Sequence, residues 1–250
     1  MTVLVLPIGV LRRECVAEFK RSWRLPQFLL PTVLTPAAFY ALFTLGVARA
    51  PTPELVAASL AGYGVFAATG PALFGFGAGV AMEREQGLIE LKRVSPMPTS
   101  AYLGAKLSAA MAATAMAVLL IYALAVVGGA RLSALQWASL FSLHLVSTIP
   151  FALIGFGVGM RMSGKGAVAI ANAMFLSFSV FGGLWIPSRV LPHWMQVAAE
   201  VVPSFHLGQI ALMIVGAPAT GSPVTRALIV LLMSAAAAWW AWTGWRRSPA

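Results

Sequence analysis

The chain has 250 residues, of which 60% are hydrophobic and only 10% charged, where an ordinary soluble domain carries about 25% charged residues. That balance excludes a water-bathed domain and points to an all-α integral membrane protein, because helices satisfy their own backbone hydrogen bonds in lipid. The net charge of +10 does not imply a nucleic-acid partner, since where the 17 Lys and Arg lie matters more than their sum.

In chain order, residues 1–10 (MTVLVLPIGV) are apolar, with no basic residue before the run and no cleavage site after it, so they do not read as a signal peptide. From residue 8 to 24, Ile8, Leu11, Cys15, Phe19 and Trp23 recur at spacings of three or four, with Arg13, Lys20, Arg21 and Arg24 elsewhere around the helix. The pattern predicts an N-terminal amphipathic helix lying on the inner leaflet, its basic residues toward membrane lipids with anionic headgroups. Cys15 is the only cysteine, so no intrachain disulfide exists, and it is expected to pack as a small apolar residue.

About 20 apolar residues cross a bilayer core. On that length the chain offers six transmembrane helices, over residues 28–48, 55–81, 107–129, 135–160, 167–186 and 227–244. A seventh apolar piece, 205–216, is bracketed by Pro203 and Pro218 and has only 12 residues; it reads as a re-entrant or interfacial helix. Thirteen basic residues, Arg12, Arg13, Lys20, Arg21, Arg24, Arg84, Lys92, Arg93, Lys106, Arg161, Lys165, Arg246 and Arg247, fall on one side, and only Arg49, Arg131, Arg189 and Arg226 on the other. Positive-inside orientation then places both termini in the cytoplasm, which requires an even number of spans. Trp137, Trp185 and Trp194 fall at the outer boundary and Trp23, Trp242 and Trp245 at the inner one, as interfacial aromatic belts do.

Catalytic chemistry finds little purchase. Residues 159–166 (GMRMSGKG) fit the G-x-x-x-x-G-K phosphate loop but end in Gly where Ser or Thr must ligate magnesium, and no strand precedes them. The segment reads as a tight cytoplasmic turn, so this chain is expected to bind no cofactor and to hydrolyse no ATP. There is no Asp, and His144, His193 and His206 are too scattered for a metal cluster. His144 lies within a span, where an ionisable group is a functional suspect; a partnership with Ser147 lacks an oxyanion motif, and helix packing is the preferred role. Every Glu sits in a loop or at an interface, whereas proton-driven carriers use acidic or histidine relays inside the bilayer. Energy for transport is therefore expected from outside the chain, with sodium coupling through carbonyls and hydroxyls left open.

Six of the 24 charges fall within residues 83–93, followed at once by Ser-Pro-Met-Pro. This segment, EREQGLIELKRVSPMPTSAYLGAKL over 83–107, resembles the loop between the second and third spans of ABC-2 type exporter permeases. Residues 182–218, GGLWIPSRVLPHWMQVAAEVVPSFHLGQIALMIVGAP, resemble the same family's stretch after span five, with Pro187, Pro192, Trp194 and Pro203 in order. The chain departs from the pattern at Gln209, where relatives often carry a basic residue.

The resemblance covers most of the chain and implies a single ABC-2 transmembrane domain over 1–250. Its parts are an interfacial helix at 8–24, a cytoplasmic coupling helix at 83–95 and a re-entrant external helical hairpin at 187–218. It implies an inner-membrane permease that forms a homodimer and binds two copies of a cytoplasmic ABC ATPase subunit, which would hold ATP and Mg. The residues fit that role. A helix over 83–94 would show Leu88, Leu91 and Val94 on one face for helix-in-groove recognition. Around it lie Glu83, Arg84, Glu85, Gly87, Glu90, Lys92 and Arg93, and Pro96 and Pro98 force extended chain beyond. For the substrate path the family implies spans two and five at the dimer axis; Asn172, Phe175 and Ser179 of span five fall on one helical face. Gly75/Gly79 and Gly155/Gly159, each after a proline, are candidate close-packing pairs. The alternative is an ion-gradient-driven secondary transporter; an intramembrane enzyme is least supported.

Overall fold

The computed structural model describes residues 8–24, 26–47, 51–95 and 97–247, so Arg49, Pro96, the segment before Ile8 and the side chain of Arg93 lie outside it. Among the described residues the fold is all-α. Helix α1 (Ile8–Trp23) leads into α2 (Pro26–Tyr40), which continues through a π-helical turn at Ala41–Gly46. Then follow α3 (Pro53–Ala72), a second π turn (Leu73–Ala78), α4 (Gly79–Glu85), α5 (Leu88–Val94) and α6 (Thr99–Val127). The remainder comprises α7 (Ala134–Val146), α8 (Thr148–Gly159), α9 (Gly164–Phe181), α10 (His193–Ala199), α11 (Pro203–Ile214) and α12 (Pro223–Arg247).

Six of these units are long and apolar enough to cross a membrane: Leu29–Gly46, Pro53–Glu85, Thr99–Val127, Ala134–Gly159, Gly164–Phe181 and Pro223–Arg247. The fifth run starts earlier and stops sooner than its composition predicts. Ser163 caps α9, accepting from the Gly166 N–H at 3.2 Å, and the chain leaves the helix after Phe181 for a turn in which Gly183 adopts φ +67°. The short seventh helix is one arm of a bent pair: α10 and α11 meet at 92°, a helical hairpin before the last span.

The second span is the axis of the bundle. Of its apolar window 78% is buried, against 17% for the last span, so its neighbours surround it on all sides. Its 33 residues extend about 50 Å at 1.5 Å per residue, well beyond a hydrocarbon core of about 30 Å, which carries its end out to the charged segment. Small residues make such close surrounding possible. A Cβ on Gly159 would lie 2.5 Å from the Phe76 carbonyl, and one on Gly155 3.0 Å from that of Ala72, so α8 rests directly on the π turn of span two. Only one of the two expected glycine pairs works this way. Gly75 has nothing within 4 Å, and it is Gly77 that faces Gly155.

Prolines interrupt both spans. Pro71 removes an N–H just before the π turn, and span four breaks at Ser147, three residues ahead of Pro150. His144 is fully buried between spans. Its Nδ1 lies 3.3 Å from the Tyr122 hydroxyl and its Nε2 3.3 Å from the Ala61 carbonyl, while its ring fills the space over Gly64. Ser147 donates to the Leu143 carbonyl at 2.7 Å and not to His144, so the pair forms no dyad and the histidine serves packing.

Candidate functional site

The charged segment divides in two. Residues 83–85 close the second span as part of α4; Gln86 and Gly87 then turn the chain, Gly87 at φ +70°, where a side chain would be strained, and α5 begins at Leu88. The single helix expected over 83–94 is thus corrected to a span end and a separate seven-residue helix. The reason is local: the left-handed glycine supplies a corner that helical periodicity does not reveal.

This division separates the charges by role. Glu83, expected on an exposed rim, is only 1% exposed. Its carboxylate pairs with Arg21 of α1, accepts from Lys106 Nζ at 2.7 Å and from the Tyr102 hydroxyl at 2.6 Å. Glu18 joins from α1, 3.4 Å from Lys106, 3.9 Å from Arg21 and 4.0 Å from Lys92. Lys92 of α5 pairs with Glu14 and lies over the Tyr102 ring, 4.5 Å from its centroid. Three carboxylates thus meet three cations drawn from α1, α4, α5 and α6. The balance matters, because a buried charge left unpaired costs several kcal/mol, roughly 3–5 when one partner of a buried pair is removed.

The next two residues bind elsewhere. Arg84 donates to the Met162 carbonyl at 2.7 Å, and Glu85 Oε1 accepts from the Gly164 N–H at 2.9 Å. The turn that mimics a phosphate loop is therefore a corner between two helices whose backbone is held by the end of span two. Arg161 in the same corner donates to the Trp240 carbonyl at 2.6 Å and the Thr243 hydroxyl at 2.7 Å, tying in α12. Partial burial lowers the Arg161 pKa, with Arg247 acting in the same direction; a guanidinium remains charged regardless.

On α5 itself Ile89 is buried and Leu88 partly so, whereas Leu91 is 64% and Val94 80% exposed. The expected apolar face therefore exists, but its outward members are Leu91 and Val94. Glu90 is half-buried, its Oε2 enclosed without a hydrogen-bond partner among the described residues. Of the named docking residues, Leu88, Glu90, Leu91, Lys92 and Arg93 share α5, Gly87 makes its corner, and Glu83, Arg84 and Glu85 belong to α4, whose contacts run to α1, α6 and the α8–α9 corner.

Sequence reasoning missed Glu14, Glu18, Tyr102 and Lys106. A signal was present: Glu14 and Glu18 stand at i,i+4 and Arg21 three further on, a carboxylate stripe on an otherwise basic helix. In the structure that stripe faces α6, with Ser108 Oγ 3.3 Å from Cys15 Sγ, while Val16, Phe19 and Trp23 are exposed on another face. The carboxylates, Arg21, Leu11 and Cys15 thus turn toward protein, while Arg12, Arg13 and Lys20 stay exposed, so the expected apolar face is split between α6 and the surface.

The three span-five residues do not share one environment. Asn172 is exposed and bonds only its own Val168 carbonyl at 3.0 Å. Phe175 turns inward, its ring 4.9 Å from that of Phe66, and Ser179 is fully buried, donating to the Phe175 carbonyl at 2.6 Å. Helical spacing puts them on one side; span two covers Phe175 through Phe66 and Phe74, and Ser179 is buried against its own turn.

At the opposite end of the bundle Arg226 is a second polar centre. Its guanidinium meets Glu200 at 2.5 and 3.2 Å, His206 Nδ1 at 3.0 Å, and the carbonyl and hydroxyl of Thr220 at 3.2 and 3.1 Å. Gln209, where a basic residue was expected from relatives, accepts from the Thr220 N–H at 2.7 Å.

Residues 14–216 match a family profile described as ABC-2 type transporter. The chain is also similar to a protein of Bacillus subtilis (strain 168) described as putative transport permease YvfS, with 28% identity over 229 residues that cover 90% of this chain and 92% of that protein.

Proposed function

The chain belongs to the ABC-2 type transporter family, and from that premise we propose that it is the membrane-spanning subunit of an ATP-driven exporter, moved by a separate cytoplasmic ATPase that docks on α5. It is a multi-pass membrane protein of a permease family whose members normally work with an ATPase subunit. The docking, two copies each of permease and ATPase, ATP and Mg held by the partner alone, an inner-membrane location and cytoplasmic termini make up the proposal.

The observation that carries it is the anchoring of α5. Seven residues cannot hold a helix in water by themselves. Here Ile89 is buried against the bundle and Lys92 is fastened to Glu14 and Tyr102, while Leu91 and Val94 project outward. Covering such a side chain in a partner's groove returns roughly 1.5–3 kcal/mol of apolar burial each. A push on this face reaches α1, α4 and α6 through the carboxylate network, and the α8–α9 corner through Arg84 and Glu85.

The test is co-purification of the ATPase from membranes. Glu90→Lys with Leu91→Asp is expected to abolish it while membrane insertion and thermal unfolding stay unchanged; an intact complex would overturn the docking role. For the path, Asn172 is the exposed candidate on span five, and Asn172→Ala is expected to change which compounds are exported more than it changes expression.

A further inference from the structure

Between the first half of α3, the turn after α9, α11 and the loop before α12 lies a cavity of about 220 Å³, at the end of the bundle away from α5. At about 30 Å³ per water molecule in the liquid, that is room for about seven. Its wall is chemically one-sided. Among the described residues Arg189 is its single charged one and no carboxylate borders it. The side chains of Arg189, which is exposed, and of Ser59 and Ser188 make no hydrogen bond or ion pair among the described residues, so their donors are uncommitted.

Two further donors in the wall are orphaned. The Tyr63 hydroxyl and the Trp185 indole N–H are enclosed with no hydrogen-bond partner, although both side chains border the cavity. Buried donors without acceptors are rare and costly, and a missing acceptor is the usual explanation. Their rings are not free to turn away: Trp185 is held edge-on by Phe39 at 5.2 Å and Phe66 at 5.3 Å, and Tyr63 stands against Tyr40 at 5.7 Å. Apart from Gln209 and Thr220, which bond each other, the rest of the wall is apolar, with Leu55, Leu212 and Pro218 among its members.

We propose that this cavity binds a phosphate ester, the chemistry of a phospholipid headgroup. A phosphate ester offers oxygen acceptors on every side and a negative charge for Arg189, and the apolar remainder of the wall suits the glycerol and upper acyl carbons of a lipid. The Tyr63 and Trp185 donors lie just beneath the present wall, so the ligand meets them only as the 182–189 turn, which carries Trp185 and Arg189, adjusts around it. The site is separate from the exposed side of Asn172 and holds whether or not the ATPase docks on α5.

Native mass spectrometry of the purified protein with phosphatidylglycerol tests the site, with diacylglycerol as the arm without phosphate and glycerol 3-phosphate as the soluble arm. Wild type is expected to retain phosphatidylglycerol and not diacylglycerol. Arg189→Gln should weaken retention about tenfold and Trp185→Phe or Tyr63→Phe about threefold each, as loss of a hydrogen bond to a charged group or of an ordinary one does. Leu212→Trp, which fills the cavity from its apolar side, should abolish retention. Tyr63→Phe carries a readout that a purely structural hydroxyl would not give: lipid-free protein should unfold at a higher temperature, having lost an unpaired polar atom, while stabilisation by lipid falls. Glycerol 3-phosphate binding with the same variant pattern, with no lipid retained, assigns the site to a free phosphate ester. Equal retention of diacylglycerol, or binding insensitive to all four substitutions, overturns the proposal.

Discussion

The two ends of this bundle are both organised by buried charge, but in opposite ways. Around Glu83 three carboxylates and three cations from four helices cancel, with the central carboxylate 1% exposed. Around Arg226 a single guanidinium gathers a hairpin and a loop, and its counter-ion Glu200 has half of its side chain in the open. The first arrangement is a rigid junction at its centre, where separating Glu83, Glu18 and Lys106 would strand a charge in a low dielectric. The second is a clasp, because water can take over one partner when it opens. Under the proposed docking on α5, the rigid end would take up the force and the clasp would be the end able to open.

Removing the centre of the junction should have the largest effect. Glu83→Ala leaves Arg21, Lys106 and the Tyr102 hydroxyl with Glu18 as the one carboxylate near both cations and is expected to destabilise the fold by about 3 kcal/mol, read as thermal unfolding in detergent. Replacing Glu83 and Lys106 together by Gln and Met should recover part of that loss, and no recovery would show that the residues act separately. Gly64→Ala comes next. Its Cβ would stand 2.0 Å from the His144 ring, so a cost of roughly 1–3 kcal/mol is expected, relieved when His144→Ala is added.

Arg226→Gln should cost less, about 1–2 kcal/mol, with the change confined to hydrogen exchange in residues 192–222. Raising salt should loosen this clasp more than the Glu83 junction, since exposed pairs are screened and buried ones are not. Equal salt sensitivity would erase the distinction between the two ends. The smallest effect on stability belongs to Val94→Asp, within about 0.5 kcal/mol because the side chain is 80% exposed. Its effect on ATPase co-purification should nevertheless be close to complete.

What was legible beforehand follows from how far each signal reaches along the chain. Six spans, the short helix between Pro203 and Pro218 and the amphipathic first helix were all readable, because a run of apolar residues and a spacing of three or four are properties of contiguous sequence. The corner at Gly87 was harder, since a lone glycine between helical stretches does not declare its φ. Apolar length starts span three at Leu107 and leaves Lys106 outside it; α6 starts at Thr99, and the helix carries Lys106 and Tyr102 around to face Glu83. Gly155 and Gly159 stood out as a packing pair, and they are one, yet the surface they meet is the π turn after Pro71 and not the matching pair Gly75 and Gly79.

By itself, then, the sequence determined that this is a six-span helical membrane protein with a charged helix between spans two and three, and the resemblance of two segments pointed to its family. Composition and length suffice for that, because lipid leaves a backbone few choices. Only the tertiary structure decided that Glu83 is buried at the junction while Leu91 and Val94 are offered to solvent, and that Tyr63 and Trp185 border a donor-rich cavity. Those facts depend on the rotation and tilt of helices whose partners lie tens of residues away, and no local pattern encodes which face of one helix meets which face of another.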